Sequence, residues 1–118
     1  MNTGSGSQRA ILDEYLDHLR VERALAENSL LAYGHDLRAL LKWSEARGAF
    51  DLLALKPSDV VDYLGALRAQ GLSARSVARA VHAARGFFRF AVREGHLGND
   101  PMQNLRAPRA FKGLPRFL

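Results

Sequence analysis

Five arginines and a histidine recur along one stretch of this chain at a spacing suited to holding an anion: Arg75, Arg79, His82, Arg85, Arg89 and Arg93. With Gly86 included, positions 75, 79, 82, 86, 89 and 93 advance by alternate fours and threes, which keeps them on one face of an α-helix with Arg85 at its flank. A guanidinium presents a flat fork of donors that suits phosphate oxygens and guanine edges. His35, Arg38 and Lys42 form a smaller row of the same kind. Two His-x-x-Arg pairs, His35 with Arg38 and His82 with Arg85, have the composition to stabilise a phosphoryl transition state. Such pairs are common by chance on a helix, and both are better explained as parts of the basic faces. Tyr15, Tyr33 and Tyr63 are candidate nucleophiles by type, yet each lies on or near an apolar stripe with no adjacent base, so core packing accounts for them. The 4 His and 0 Cys give no metal-ligand spacing, and there is no Gly-rich phosphate loop or paired-carboxylate motif. No catalytic, metal-binding or cofactor-binding residue is assigned, and the chain is expected to bind rather than to catalyse.

Charge separates along the chain in the same sense. Residues 1–72 hold 8 Lys+Arg against 10 Asp+Glu, whereas residues 73–118 hold 9 against 2, so the net +5 belongs to the C-terminal part. Of the 17 basic residues 14 are Arg, which favours nucleic acid over an anionic membrane or an acidic protein as partner. A solvated helix face ordinarily mixes signs, because like charges one turn apart repel. A nearly unmixed row therefore points to an anionic partner, although a basic stripe that only maintains solubility is the plain alternative. With 118 residues, 47% hydrophobic, the chain suffices for one core without staples. The lack of cysteine fits a reducing compartment, no apolar run is long enough to cross a bilayer, and a cytoplasmic location is expected.

The elements that must position these residues read as helices throughout. Residues 1–7 (MNTGSGS) have nothing to bury and are expected to form a flexible tail. From Gln8 to about Arg23, Ile11, Leu12, Tyr15, Leu16 and Leu19 recur at helical spacing, with Asp13, Glu14, Asp17, Arg20 and Glu22 facing out. A second helix is expected from a cap at Asn28 or Ser29 to about Arg47, closed by Gly48, burying Leu30, Tyr33, Leu37, Leu40 and Leu41. Phe50, Leu52, Leu53 and Leu55 should pack back from a short loop. A third helix starts with Pro57 at its first position and Asp59 near its positive end, runs to about Gln70, and turns Val60, Val61, Leu64 and Leu67 inward.

The fourth and longest helix carries the arginine row between Ser73 as N-cap and Gly95 beyond its end. Val77, Val81, Ala84, Phe88 and Val92 fall on its other face, with Ala80, Phe87 and Ala91 beside them. His96 to Asp100 reads as a turn and Pro101 to Leu105 as a single helical turn. Residues 106–118, RAPRAFKGLPRFL, have the composition of an extended basic linker. No strand pattern appears, so the expected fold is all-α, with one DNA-binding domain over 8–105. Arg75, Arg79 and His82 are expected at base edges or nearby phosphates, and Arg85, Arg89 and Arg93 at the backbone. His35, Arg38 and Lys42 form a second patch, and Ser29, Ser73 and Ser76 mark helix starts where phosphate is favoured.

Specific residues also resemble a known family. Leu25-Ala-Glu-Asn-Ser-Leu30, Ala32-Tyr33, Asp36-Leu37, Gly71-Leu-Ser-Ala-Arg-Ser76, Ala83-Ala-Arg85, Phe87-Phe88, Asn99-Asp-Pro101, Pro108 and Leu114-Pro115 are similar, in order and spacing, to the N-terminal core-binding domain of Xer-type tyrosine recombinases and phage integrases. His82 stands where that family more often has Ser, and Gly86 loosens the middle of the helix. The resemblance implies a four-helix, SAM-like orthogonal bundle forming one half of a clamp around double-stranded DNA. It further implies a parent protein that performs metal-free, tyrosine-mediated site-specific recombination, as in chromosome-dimer resolution at cell division or DNA integration. A separate C-terminal domain would supply the catalytic residues, with other recombinase protomers as partners in a synaptic tetramer and no membrane or small-molecule substrate. Two other readings compete with this one: a helical module docking an acidic protein, and a free-standing transcription factor, which the sequence disfavours because it shows no compact helix-turn-helix and no obvious dimerisation helix.

Overall fold

The computed structural model describes residues 3–47 and 55–103, with side chains from Arg9 onward. Within them the chain forms four helices: α1 (Thr3–Val21), α2 (Glu27–Ala46), α3 (Pro57–Ala69) and α4 (Ala74–Arg93). α4 packs against the other three, and α1 also packs on α2. The all-α, four-helix expectation is met. Gly48, Phe50, Leu52, Leu53 and the basic segment 106–118 lie outside the described residues.

α4 is central because its apolar surface is broad. Val77, Ala80, Val81, Ala83, Ala84, Phe87, Phe88, Phe90 and Ala91 are all buried, which spans about half the circumference of a helix turning ~100° per residue. Phe87, Phe88 and Ala91 are fully buried. The band is rotated from the expected one, since Phe90 and Ala83 go inside while Val92 is only half-buried. The cause is α1, whose Tyr15 ring packs 5.2 Å from Phe90 and 5.9 Å from Phe87 and so extends the core around that flank.

Local chemistry explains most helix ends. Ser73 caps α4 by accepting a hydrogen bond at Oγ from the Ser76 amide, 3.1 Å away. Asp59 accepts at Oδ2 from the Lys56 amide (2.9 Å), which ties down the start of α3 behind Pro57. α2 departs from expectation. Its N-cap is Ala26 with no side-chain cap, because Ala24 at φ 50° turns the chain and the Leu25 amide donates to the Leu19 carbonyl (3.2 Å). Glu27 in the first turn of α2 offsets the positive helix end, and Asn28 and Ser29 lie inside the helix rather than at its cap.

Three further differences have simple causes. α1 begins at Thr3 instead of Gln8, since apolar periodicity marks only the packed turns from Ile11 onward. In α3, Val61 is 52% exposed and Tyr63 takes the inward place, because positions 60, 63, 64 and 67 share one face and 61 does not. The Tyr63 ring packs 5.1 Å from Trp43. Beyond α4, residues 101–103 form a hydrogen-bonded turn in which Asp100 accepts at Oδ1 from the Met102 amide (2.8 Å), placing Met102 fully in the core.

Candidate nucleic-acid interface

The outer side of α4 carries the arginine row, and the structure divides it between two neighbours. Near the N-terminal end Arg75 is exposed and makes no ion pair among the described residues. One turn on, Arg79 is held by Asp36 of α2: Nε donates to Oδ2 at 2.7 Å and Nη2 donates to Oδ1 at 2.9 Å. Asp36 is buried, and its hydrogen bond is the first cause that raises the Arg79 guanidinium above its already high ordinary pKa. His82 is exposed, with its ring 6.1 Å from Tyr33 of α2. Arg75, Arg79 and His82 therefore sit along the α2 side of the bundle.

The C-terminal half of α4 borders a cleft of about 650 Å³ between the end of α1 and the turn that follows α4. Arg85, Arg89 and Arg93 line it from α4, and Arg23 lines it from the α1–α2 connection. Arg89 is exposed and makes no ion pair among the described residues. Arg93 pairs with Glu94 at 3.3 Å and lies 5.5 Å over the Phe90 ring, a surface contact of small energetic consequence. Arg23 was missed at the sequence level because it follows an acidic helix and belongs to no row.

Gly86 explains its own position on this face. A Cβ there would collide with the Tyr15 hydroxyl, so the absence of a side chain is what lets α1 and α4 approach. Tyr15 is buried and its pKa is raised, first by burial, with Arg23 and Arg89 pulling the other way. Burial and the Asp36 carboxylate push Tyr63 up to about 12. Both phenols are thus protonated at neutral pH and serve packing, as their place on apolar stripes indicates.

The remaining sequence-predicted residues are less concentrated. His35 and Lys42 are exposed on α2. Arg38 lines a groove with Asp13, Asp17 and Arg20 of α1, and its guanidinium folds over Gly34, so the structure directs it toward the acidic face of α1. Ser29 is exposed in the first turn of α2. Ser73 and Ser76 are joined by the cap, their hydroxyl oxygens 3.2 Å apart, leaving the Ala74 and Arg75 amides as the outward donors of α4. Among the described residues no group of three or more His, Cys, Asp or Glu is placed to hold a metal, and no helix is long and apolar enough to cross a membrane.

Comparison with known proteins gives the same assignment as the motifs. Residues 12–95 match the family described as phage integrase, N-terminal SAM-like domain. The chain is 37% identical over 109 residues to the tyrosine recombinase XerD of Listeria monocytogenes, covering 92% of this chain and 37% of that protein. It is 39% identical over 110 residues to the tyrosine recombinase XerC of Pseudomonas aeruginosa, covering 93% and 36%. A XerC of Xylella fastidiosa is 35% identical over 108 residues, covering 92% and 37%. The chain thus spans little more than a third of the length of these relatives. No solved structure matches it. On the strength of the matched span and these identities, the chain belongs to the family of phage-integrase N-terminal SAM-like domains.

Proposed function

We propose that this chain is the duplex-DNA-binding half of a clamp in a site-specific tyrosine recombinase, gripping DNA along the outer side of α4. The observation that carries the reading is that Arg75 and Arg89, at opposite ends of that side, have no carboxylate partner among the described residues. Exposed cations with no carboxylate partner among the described residues, with Arg75 on a helix start capped by Ser73, suit a row of phosphates. In this reading His35 and Lys42 extend the grip on α2, and Ser29, Ser73, Ser76, His82, Arg85 and Arg93 contribute around it, whereas Arg38 is turned toward the acidic face of α1. Strand cleavage belongs to another part of the parent protein and needs no metal. Chromosome-dimer resolution at cell division in the cytoplasm, by a tetramer of recombinase protomers, is the biological setting that the resemblance to Xer-type recombinases implies.

The cleft at the far end of α4 favours a second reading. A concavity of about 650 Å³ lined by arginines fits an acidic protein segment better than it fits a convex duplex. Competition separates the two. If the first reading holds, duplex DNA and heparin perturb the same guanidinium resonances, Arg75 and Arg89 among them. Resonances that respond to an acidic peptide and not to duplex DNA would replace it with the second.

A further inference from the structure

Within the α4 row, Arg79 has its fork held in a fixed orientation by a buried group, Asp36. A guanidinium has five N–H donors, and Asp36 accepts one from Nε and one from Nη2. Both hydrogens on Nη1 and the second on Nη2 remain. These form the outer end of the fork, and they are accessible because the Arg79 side chain is 42% exposed while that of Asp36 is 9%. Two parallel donors on a planar edge match the paired acceptors O6 and N7 of guanine in the major groove.

Charge decides between a base and a phosphate as the target of that edge. Beside the Asp36 carboxylate the pair is close to neutral, so its Coulomb pull on a phosphate is largely cancelled while its hydrogen-bonding geometry is retained. A guanine edge is uncharged and loses nothing by this. Arg79 also lies in the second turn of α4, after Ala74 and Ser76, where small side chains allow the helix start to approach a groove closely. Fixing the fork before binding removes part of the cost of ordering a long side chain.

Resting on the DNA-binding reading above, we infer that Arg79 reads a guanine through its outer edge and that Asp36 is the positioning residue that makes this contact selective. Asp36 acts through Arg79 and touches no DNA itself. Asp36→Asn replaces an acceptor with an amide that opposes the Arg79 donors, and it adds one net positive charge. Its expected signature is therefore a loss of selectivity together with unchanged or stronger binding to arbitrary sequence.

The test is selection of a random-sequence duplex pool by this chain and by its Asp36→Asn and Arg79→Lys variants, with melting temperatures recorded in parallel. Arg79→Lys keeps a charge beside Asp36, so the carboxylate is not left buried and alone, but it removes the fork. The parent should enrich a guanine at one position about tenfold or more. Both variants should lose that enrichment, and Asp36→Asn should bind the unselected pool at least as tightly, with a steeper salt dependence. Asp36→Glu should recover part of the enrichment. If Asp36→Asn weakened binding to the enriched duplex and to the unselected pool by the same factor, Asp36 would be merely structural and the inference overturned. Duplex binding by the parent with no enriched guanine would overturn it while leaving the DNA-binding reading intact. A parent that bound no duplex at all would overturn both.

Discussion

At the start of α4, Arg79 is held by the buried Asp36 of α2, and Arg75, one turn before it, has no ion-pair partner among the described residues; at the other end, Arg89 and Arg93 border an open cleft whose lining includes Tyr15 and Gly86. In the sequence these arginines form one repeating row. In the fold they meet different neighbours because α4 crosses α2 along its first half and α1 along its second. Rows of like residues thus need not act alike. The first half carries a fixed, nearly neutral fork suited to selective contact, and the second carries cations around an open cleft, with Arg89 exposed, suited to charge neutralisation.

The largest effect tests the buried side that both halves share. Phe88→Ala should cost about 3 to 5 kcal/mol in chemical denaturation, because Phe88 is fully enclosed and the site cannot easily collapse. A variant that melted with the parent would mean that the two faces of α4 are assigned the wrong way round.

Gly86→Ala addresses the second half. Overpacking against Tyr15 should cost about 1 to 3 kcal/mol, reduced by up to about 1 kcal/mol from the better helix propensity of alanine. Adding Tyr15→Phe removes the oxygen that the new methyl group would strike, so the double variant should lose less than the sum of the single losses. Simple additivity would show that Gly86 is not there to admit Tyr15.

Charge removal at each half should separate grip from reading. Arg75→Ala and Arg89→Ala should each weaken binding to duplexes of any sequence alike, and lower the slope of log K against log salt by about 1. Melting curves should hardly move, since both side chains are exposed.

The smallest effect is alkaline. With Tyr63 raised to about 12 from 10.0, its neutral form is the one the fold favours. The stability this contributes is complete below pH 10 and is lost as pH climbs through about 12. Absorbance of the phenolate should therefore lag for Tyr63, and Tyr63→Phe should flatten the decline in stability over that window.

The outline of the fold was legible from periodicity alone, because Val77, Val81, Ala84 and Phe88 recur at the helical period with arginines opposite. What escaped was lateral. Val61 and Tyr63 differ by two residues, and apolar character alone misplaced Val61 on the inner face. The first cap of α2 was misjudged because backbone geometry at Ala24 replaces the side chain that Asn28 or Ser29 offered. For the site, sequence located the cations but not their partners. Asp36 lies 43 residues from Arg79, and no local spacing connects them. Gly86 looked like a weak point in a helix because its value lies in Tyr15, on another element.

If the outer side of α4 grips polyphosphate as proposed, titrating this chain with a duplex at several salt concentrations should give a negative slope of log K against log salt of several units. The Arg75→Ala, Arg89→Ala double variant should reduce that slope by about 2. A slope near zero, or one that the double variant left unchanged, would contradict that grip.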